Sequence, residues 1–219
     1  MKMEVMILKI NFKQISNNKS TRTQRIKYIV IHDTGNPNKG ADAEAHFNYF
    51  NSGNKNSSAD FFVDDWQILQ VNDYNKYYTW HCGDGNGKYG ITNANSIGIE
   101  ICINSDGNYN KAVENAINLV KYLKKELNLP HSSVVRHYDA SRKNCPATMS
   151  ANNWQLWNEF YEKTLMPLPP VELTTVNDIV WELNHRGIIL DKDLWLKKLE
   201  EDQNTYWLAR KTANMTVNK

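Results

Sequence analysis

The sequence predicts an α/β protein, a central β-sheet flanked by helices, followed by a small all-helical C-terminal module. Three observations carry this. Short apolar, β-branched runs such as Tyr28-Ile29-Val30-Ile31 have the composition of buried strands. They alternate with segments of helical periodicity, clearest over Lys111–Leu127. Beyond a proline-rich stretch, Met166-Pro167-Leu168-Pro169-Pro170-Val171, the composition shifts to short helical segments.

In chain order, Asn11–Gln24 is polar and reads as a loop before the first buried strand, which ends at His32. Asp42–Phe50 carries Ala43, Phe47 and Phe50 at helical spacing, and Gly53 stops it. Asp60–Val63 and Gln67–Val71 flank Asp64-Asp65-Trp66 as a hairpin. Tyr77–Gly90, rich in glycine and aromatics, reads as a loop over the sheet. Ser96–Ile103 alternates: Ile97, Ile99, Ile101 and Ile103 share one face, and Gly98, Glu100 and Cys102 the other. The Lys111–Leu127 helix presents Val113, Ala116, Ile117, Val120, Leu123 and Leu127 as a stripe, and Pro130 closes it. A short strand at Val134-Val135, a polar loop to Pro146 and a helix marked by Trp154, Trp157 and Tyr161 complete the first part. The predicted division is a domain over 1–165, a semi-rigid linker over 166–171 and a helical module over 172–219. In that module Thr175-Val176-Asn177-Asp178 starts a helix through Arg186, closed by Gly187, and further helical stretches fall at Asp193–Leu199 and Thr205–Ala213. Each holds one tryptophan, Trp181, Trp195 or Trp207. So small a module has a thin core that pairing or packing can support.

Composition narrows the function. A length of 219 residues suits one large domain or a medium domain plus a small one. The formal net charge of +2 gives no argument for nucleic acid, while a weakly basic surface is compatible with an anionic polymer. Three cysteines, an odd number without framework spacing, argue against a disulfide scaffold and for synthesis in a reducing compartment. Near the N-terminus, Glu4 and Lys9 interrupt the apolar run of Met1–Ile10, leaving it too short for a signal-peptide core or a membrane span. The expectation is synthesis in the cytoplasm without a signal peptide, and no membrane insertion.

The chemistry centres on Val134–Pro146, which supplies His137 and Cys145 across a polar loop that lets both donors face one point. Imidazole and thiolate are ligand types that zinc favours. His32, at a strand end where ligands of open α/β sheets collect, is the third candidate. Two histidines and a cysteine leave one tetrahedral position for water, the catalytic arrangement. Glu100, a carboxylate inside a run of isoleucines, needs a partner or a task; a salt bridge to Arg136 or Lys143 is the alternative to a catalytic role. Asp139 is placed to orient a ligand histidine from behind or to cap a turn, and Thr34 is a weaker candidate for the same supporting role. Cys82 adjoins His81, but adjacent residues of an extended chain point apart, so the two do not share a metal. Cys102 reads as a packed thiol, and His46, His131 and His185 as surface or helix residues without a role.

Four blocks, I-V-I-H-D-T-G-N, W-H-C-G-D-G, S-I-G-I-E-I-C and R-H-Y-D-A-S-R-K-N-C-P, in this order, resemble the zinc-dependent N-acetylmuramoyl-L-alanine amidases. These are the type-2 enzymes of phage endolysins and bacterial autolysins, related to animal peptidoglycan-recognition proteins. The resemblance covers residues 24–165. It implies a mixed central sheet, one zinc ion on His32, His137 and Cys145, and Glu100 beside the metal-bound water. It also implies oxyanion stabilisation by Lys143 and a glycopeptide groove near His81, lined by Trp80 and Tyr78. Some short phage amidases use a tyrosine beside the strand that here begins Ala59-Asp60-Phe61; its absence favours the glutamate-dependent variant. The expected substrate is Gram-positive peptidoglycan, cut between N-acetylmuramic acid and L-alanine after release, with a holin as the route. The rivals are a non-hydrolytic recognition module, which the full ligand set disfavours, and a regulator with a structural zinc, which a fourth ligand would mark. For the C-terminal module, wall docking is expected, with self-association through its helices as the alternative.

Overall fold

A computed structural model describes residues 8–165 and 175–217. The proline-rich stretch 166–171, expected as a linker, lies outside the described residues, as do the first seven positions. The chain forms two compact units, one built from Lys9 onward and one holding the C-terminal helices.

The first unit is organised on a six-stranded sheet ordered β1-β5-β4-β7-β3-β8, comprising β1 (Ile10–Phe12), β3 (Tyr28–Asp33), β4 (Phe61–Val63), β5 (Ile68–Gln70), β7 (Ser96–Ile101) and β8 (Val134–Arg136). A separate antiparallel pair joins β2 (Lys19–Thr21) to β6 (Tyr77–Thr79). In the large sheet β3 lies between β7 and β8, parallel to both, while β4 and β5 form the expected antiparallel hairpin. The sheet is therefore mixed, and its central strands are covered on both faces. That is why β3 reads as a nearly continuous Ile/Val run, whereas β7 alternates isoleucine with Gly98 and Glu100.

Alternation assigns the faces. Ile97, Ile99 and Ile101 are excluded from solvent, and helix α2 (Tyr109–Glu126) packs against β4, β5 and β7. On the opposite face Phe62, Leu69, Val71 and Cys102 pack with Ala43, Phe47 and Phe50 of helix α1 (Ala43–Asn51). Further along that face Val30 packs with Cys82, Ile91 and Ala140. Both helices are capped by side chains: Asp42 accepts from Ala45 N at 2.8 Å, and Asn108 from Lys111 N at 3.1 Å. The Asn108 cap starts α2 two residues before the Lys111 read from periodicity. Strand β7 ends at Ile101 rather than Ile103, because the chain then turns, with Gly107 N bonded to Asn104 O.

Two short helices follow β8: α3 (His137–Ser141) and α4 (Ala151–Lys163). The start of α4 is unusual, since Asn152, Asn153 and Trp154 take left-handed backbone angles, φ 50°, 55° and 67°. This conformation costs a residue with a side chain roughly 1–2 kcal/mol. It is offset by packing: the Arg136 guanidinium lies over the Trp154 ring at 4.3 Å and over Tyr138 at 5.1 Å.

The second unit packs α5 (Val176–His185), α6 (Lys192–Glu201) and α7 (Gln203–Val217) around Ile179, Val180, Leu183, Ile189, Leu199, Ala209 and Ala213. Thr175 caps α5 through Asp178 N, and Gly187, at φ 68°, follows its end, as the sequence indicates. No helix among the described residues is long and apolar enough to cross a membrane.

Candidate active site

His32 sits near the C-terminal end of β3 on the same face as Val30, and its register partner on β7 is Glu100. The next element across, β8, runs into α3, whose first residue is His137. The chain then reverses. Arg142 adopts a left-handed cap, φ 72°, and Tyr138 N bonds back to Cys145 O at 3.0 Å. This reversal brings Cys145 beside His137. One ligating atom from each of His32, His137 and Cys145 lies within 4.8 Å of the others, and all three residues are buried. His32 Nδ1 is 3.7 Å from Cys145 Sγ and 3.9 Å from Glu100 Oε1.

The electrostatics suit a cation. Burial, together with the neighbouring imidazoles and Lys143, pulls His32 well below the usual histidine range. Burial also lowers His137, against the opposing pull of Asp84, so both rings are neutral near pH 7 and carry a lone pair. Burial first, and the Glu100 charge second, push the Cys145 thiol up to about 12. Glu100 is raised to about 8, by burial first and by the nearby Asp33 charge second. Among the described residues His137 Nδ1 is buried without a hydrogen-bond partner, as a nitrogen reserved for a metal would be. Two neutral imidazoles, one of them with an orphaned ring nitrogen, and a thiol together fit a metal ion.

Behind the cluster, His137 Nε2 meets Asp84 Oδ1 at 2.7 Å, and His32 Nε2 meets His81 Nδ1 at 3.1 Å. Two glycines allow these approaches. A Cβ on Gly98 would stand 2.5 Å from His81 Cγ, and one on Gly85 would stand 2.1 Å from the Ala140 carbonyl oxygen. Gly98, on the interior strand β7, thus makes room for His81 against the sheet, and Gly85 lets the Asp84 loop close on α3.

The structure places each of the other candidate residues. Of the two readings of Asp139, the cap is the one observed: its carboxylate takes the Arg136 backbone N–H at 2.9 Å and two guanidinium bonds at the start of α3, away from the ligand histidines. The carboxylate that meets a histidine of the cluster is Asp84, which the sequence reading did not select. His81 is buried with both ring nitrogens engaged, so it lies beneath the cluster and not along an open groove. Thr34 Oγ1 is buried and makes no hydrogen bond. Trp80 is half-buried, its Nε1 donating to Ser20 Oγ at 3.0 Å, and Tyr78 belongs to the small sheet, paired with Ser20. Lys143 is exposed on the loop before Cys145, and its charge reaches His32, His137, Glu100 and Cys145. Cys82 and Cys102 are packed thiols, raised by burial. His46, read as a surface or helix residue, lies on α1, where it is buried and stacked on Phe62 at 5.2 Å.

A mixed-sheet α/β domain with a buried His/His/Cys cluster beside a carboxylate, at the ends of the parallel strands β3 and β7, has the donor set and the placement of a metal site. Residues 22–148 match the family described as N-acetylmuramoyl-L-alanine amidase, and the chain belongs to that family, which is metal-dependent. It is 39% identical over 157 residues to the N-acetylmuramoyl-L-alanine amidase CwlH of Bacillus subtilis, covering 70% of this chain and 59% of CwlH. To XlyA of the same organism it is 43% identical over 131 residues, covering 60% of this chain and 43% of XlyA. The chain therefore spans about half the length of these curated relatives. The solved catalytic domain of XlyA superposes with a TM-score of 0.64 at 38% identity, over 72% of this chain and 99% of that one. A mutant endolysin from Bacillus subtilis gives 0.65 at 39% identity, with the same coverage of both chains.

Proposed function

We propose that this chain hydrolyses the amide bond between N-acetylmuramic acid and L-alanine in bacterial peptidoglycan, using one zinc ion held by His32, His137 and Cys145. The observation that carries the proposal is the convergence of those three side chains within 4.8 Å, beside Glu100. The donor set favours zinc among divalent ions, because it joins two imidazoles to a thiolate. When bound, zinc supplies Lewis acidity, which makes water a nucleophile near neutral pH and polarises a carbonyl.

Glu100 is the general base. Its Oε1 lies 3.9 Å from His32 Nδ1, so its carboxylate borders the place where the metal and substrate meet. Burial, with the Asp33 charge second, raises the Glu100 carboxyl to about 8; the positive charge of a bound metal would favour its ionised form, which accepts a proton from the attacking water. The water oxygen adds to the lactyl carbonyl carbon. As the C–N bond breaks, Glu100 returns the proton to the departing amine of L-alanine. Lys143, on the exposed rim, contributes positive charge to the developing oxyanion. Trp80 and Tyr78 are proposed as lining for the glycopeptide, with aromatic area and a polar edge. The second unit, with a core of its own, is proposed as a docking module for the Gram-positive wall, self-association being its alternative.

Digestion of purified Gram-positive walls tests the activity. Free N-terminal L-alanine appearing without new reducing ends, lost to chelator and recovered with zinc, is the expected result. Sedimentation with walls and neither product on several wall types would replace the amidase with a recognition module. Removing the residues after 170 tests docking: lost wall pull-down supports it, and unchanged pull-down with altered mass in light scattering supports self-association.

A further inference from the structure

We infer that His81 and Ser96 are positioning residues that fix the tautomer of His32, presenting a bare Nδ1 lone pair to the metal through a chain of hydrogen bonds that starts at the Thr92 carbonyl. The inference rests on the proposed metal role of His32.

The direction of each bond follows from the first. A backbone carbonyl only accepts, so the Ser96 hydroxyl, 2.5 Å from Thr92 O, donates its one proton there. Ser96 Oγ is then left as an acceptor toward His81 Nε2, 3.0 Å away, which must carry a proton. A neutral imidazole has one N–H, and among the described residues no carboxylate is hydrogen-bonded to this buried ring to hold a second. His81 Nδ1 is therefore bare and accepts from His32 Nε2 at 3.1 Å. His32, neutral as well, must then keep Nδ1 unprotonated, and Nδ1 is the nitrogen that faces Cys145 Sγ at 3.7 Å.

The two histidine arms of the cluster are thus supported differently. His137 has a carboxylate, Asp84, on its outer nitrogen, and a charged acceptor fixes a tautomer by itself. His32 has only a second imidazole, which accepts or donates equally well until something behind it decides. Ser96, fully buried at the start of β7, makes that decision. Gly98, two positions along the same strand, provides the space for the ring in between.

The test uses the full chain. In zinc-free wild-type protein, nitrogen-15 spectra of the imidazole rings are expected to show His32 protonated at Nε2 and bare at Nδ1. Ser96→Ala, which removes one oxygen and little volume, is expected to mix the two His32 tautomers and weaken zinc binding about 3- to 30-fold in competition with a chromophoric chelator, with Ser96→Thr restoring both readouts. His81→Leu is expected to cost about 10- to 100-fold in zinc affinity. A wild-type His32 protonated at Nδ1 overturns the inference, as does zinc affinity within twofold of wild type in both Ser96→Ala and His81→Leu. Failure of the wild-type chain to bind zinc overturns the metal role of the cluster instead, and the ring spectra still decide the tautomer.

Discussion

His32 and Glu100 stand opposite each other on adjacent parallel strands, with Glu100 Oε1 3.9 Å from His32 Nδ1. The register of β3 against β7 therefore couples a metal-ligand candidate to an acid–base candidate. A slip of one residue would turn one of the two side chains toward the isoleucine face under α2 and part the pair.

On the proposed mechanism, Glu100→Gln retains shape and hydrogen-bonding capacity but cannot take a proton. Turnover of wall substrate is expected to fall about 10²- to 10⁴-fold, with zinc content by atomic absorption unchanged. Activity within a few-fold of wild type would remove Glu100 from the base role.

The same substitution makes a prediction about stability. The Glu100 pKa is raised on folding, from 4.5 to about 8, so the folded state holds the extra proton between those values. Its contribution is present below the unfolded value and is lost as pH rises toward 8, at up to about 1.4 kcal/mol per pH unit. Zinc-free Glu100→Gln lacks this slope. Urea denaturation at pH 5 and pH 8 is expected to show the variant gaining on wild type at the higher pH, and parallel profiles would contradict the burial argument.

Asp84→Asn keeps a hydrogen-bonding group at His137 Nε2 but removes its charge. Zinc affinity is expected to drop about 10- to 100-fold, while the far-ultraviolet circular dichroism stays that of the wild type, because Asp84 lies on a surface turn. Unchanged affinity by chelator competition would demote Asp84 to an ordinary loop residue.

Trp154→Ala removes the ring that covers the Arg136 guanidinium but leaves the left-handed turn to be formed. A loss of about 1–3 kcal/mol is expected from cation–π and packing terms, measured by urea denaturation. A neutral result would mean that Asp139 and the Tyr138 and Trp157 rings hold Arg136 without help from Trp154.

Local rules carried the sequence reading a long way. The alternation of β7 put Glu100 and Gly98 on one face, and the apolar run ending in His32 marked a central strand. The loop from His137 to Cys145 is short enough that its return was legible. The supporting residues were less so. Asp84 reaches His137 only because a glycine turn far upstream closes on α3, a contact between segments 53 positions apart. His81 adjoins Cys82, and the rule for extended chain separates such neighbours; the bend at Cys82, φ −141° and ψ 28°, lets both be buried. Asp139 looked like a histidine's partner because it lies two residues from one, but the guanidinium three residues before it competes for the same carboxylate and wins with two bonds.

Gly85 and Gly98 set how this site can vary. Neither has a side chain to touch a reactant, yet each marks a volume already filled by another segment, the Ala140 carbonyl or the His81 ring. In a library randomised at these two positions, survivors should cluster at glycine as tightly as at any ligand. Those that escape glycine at 98 should carry a smaller residue at 81. Substitution tolerance at a silent position would then report how deeply a neighbour is seated.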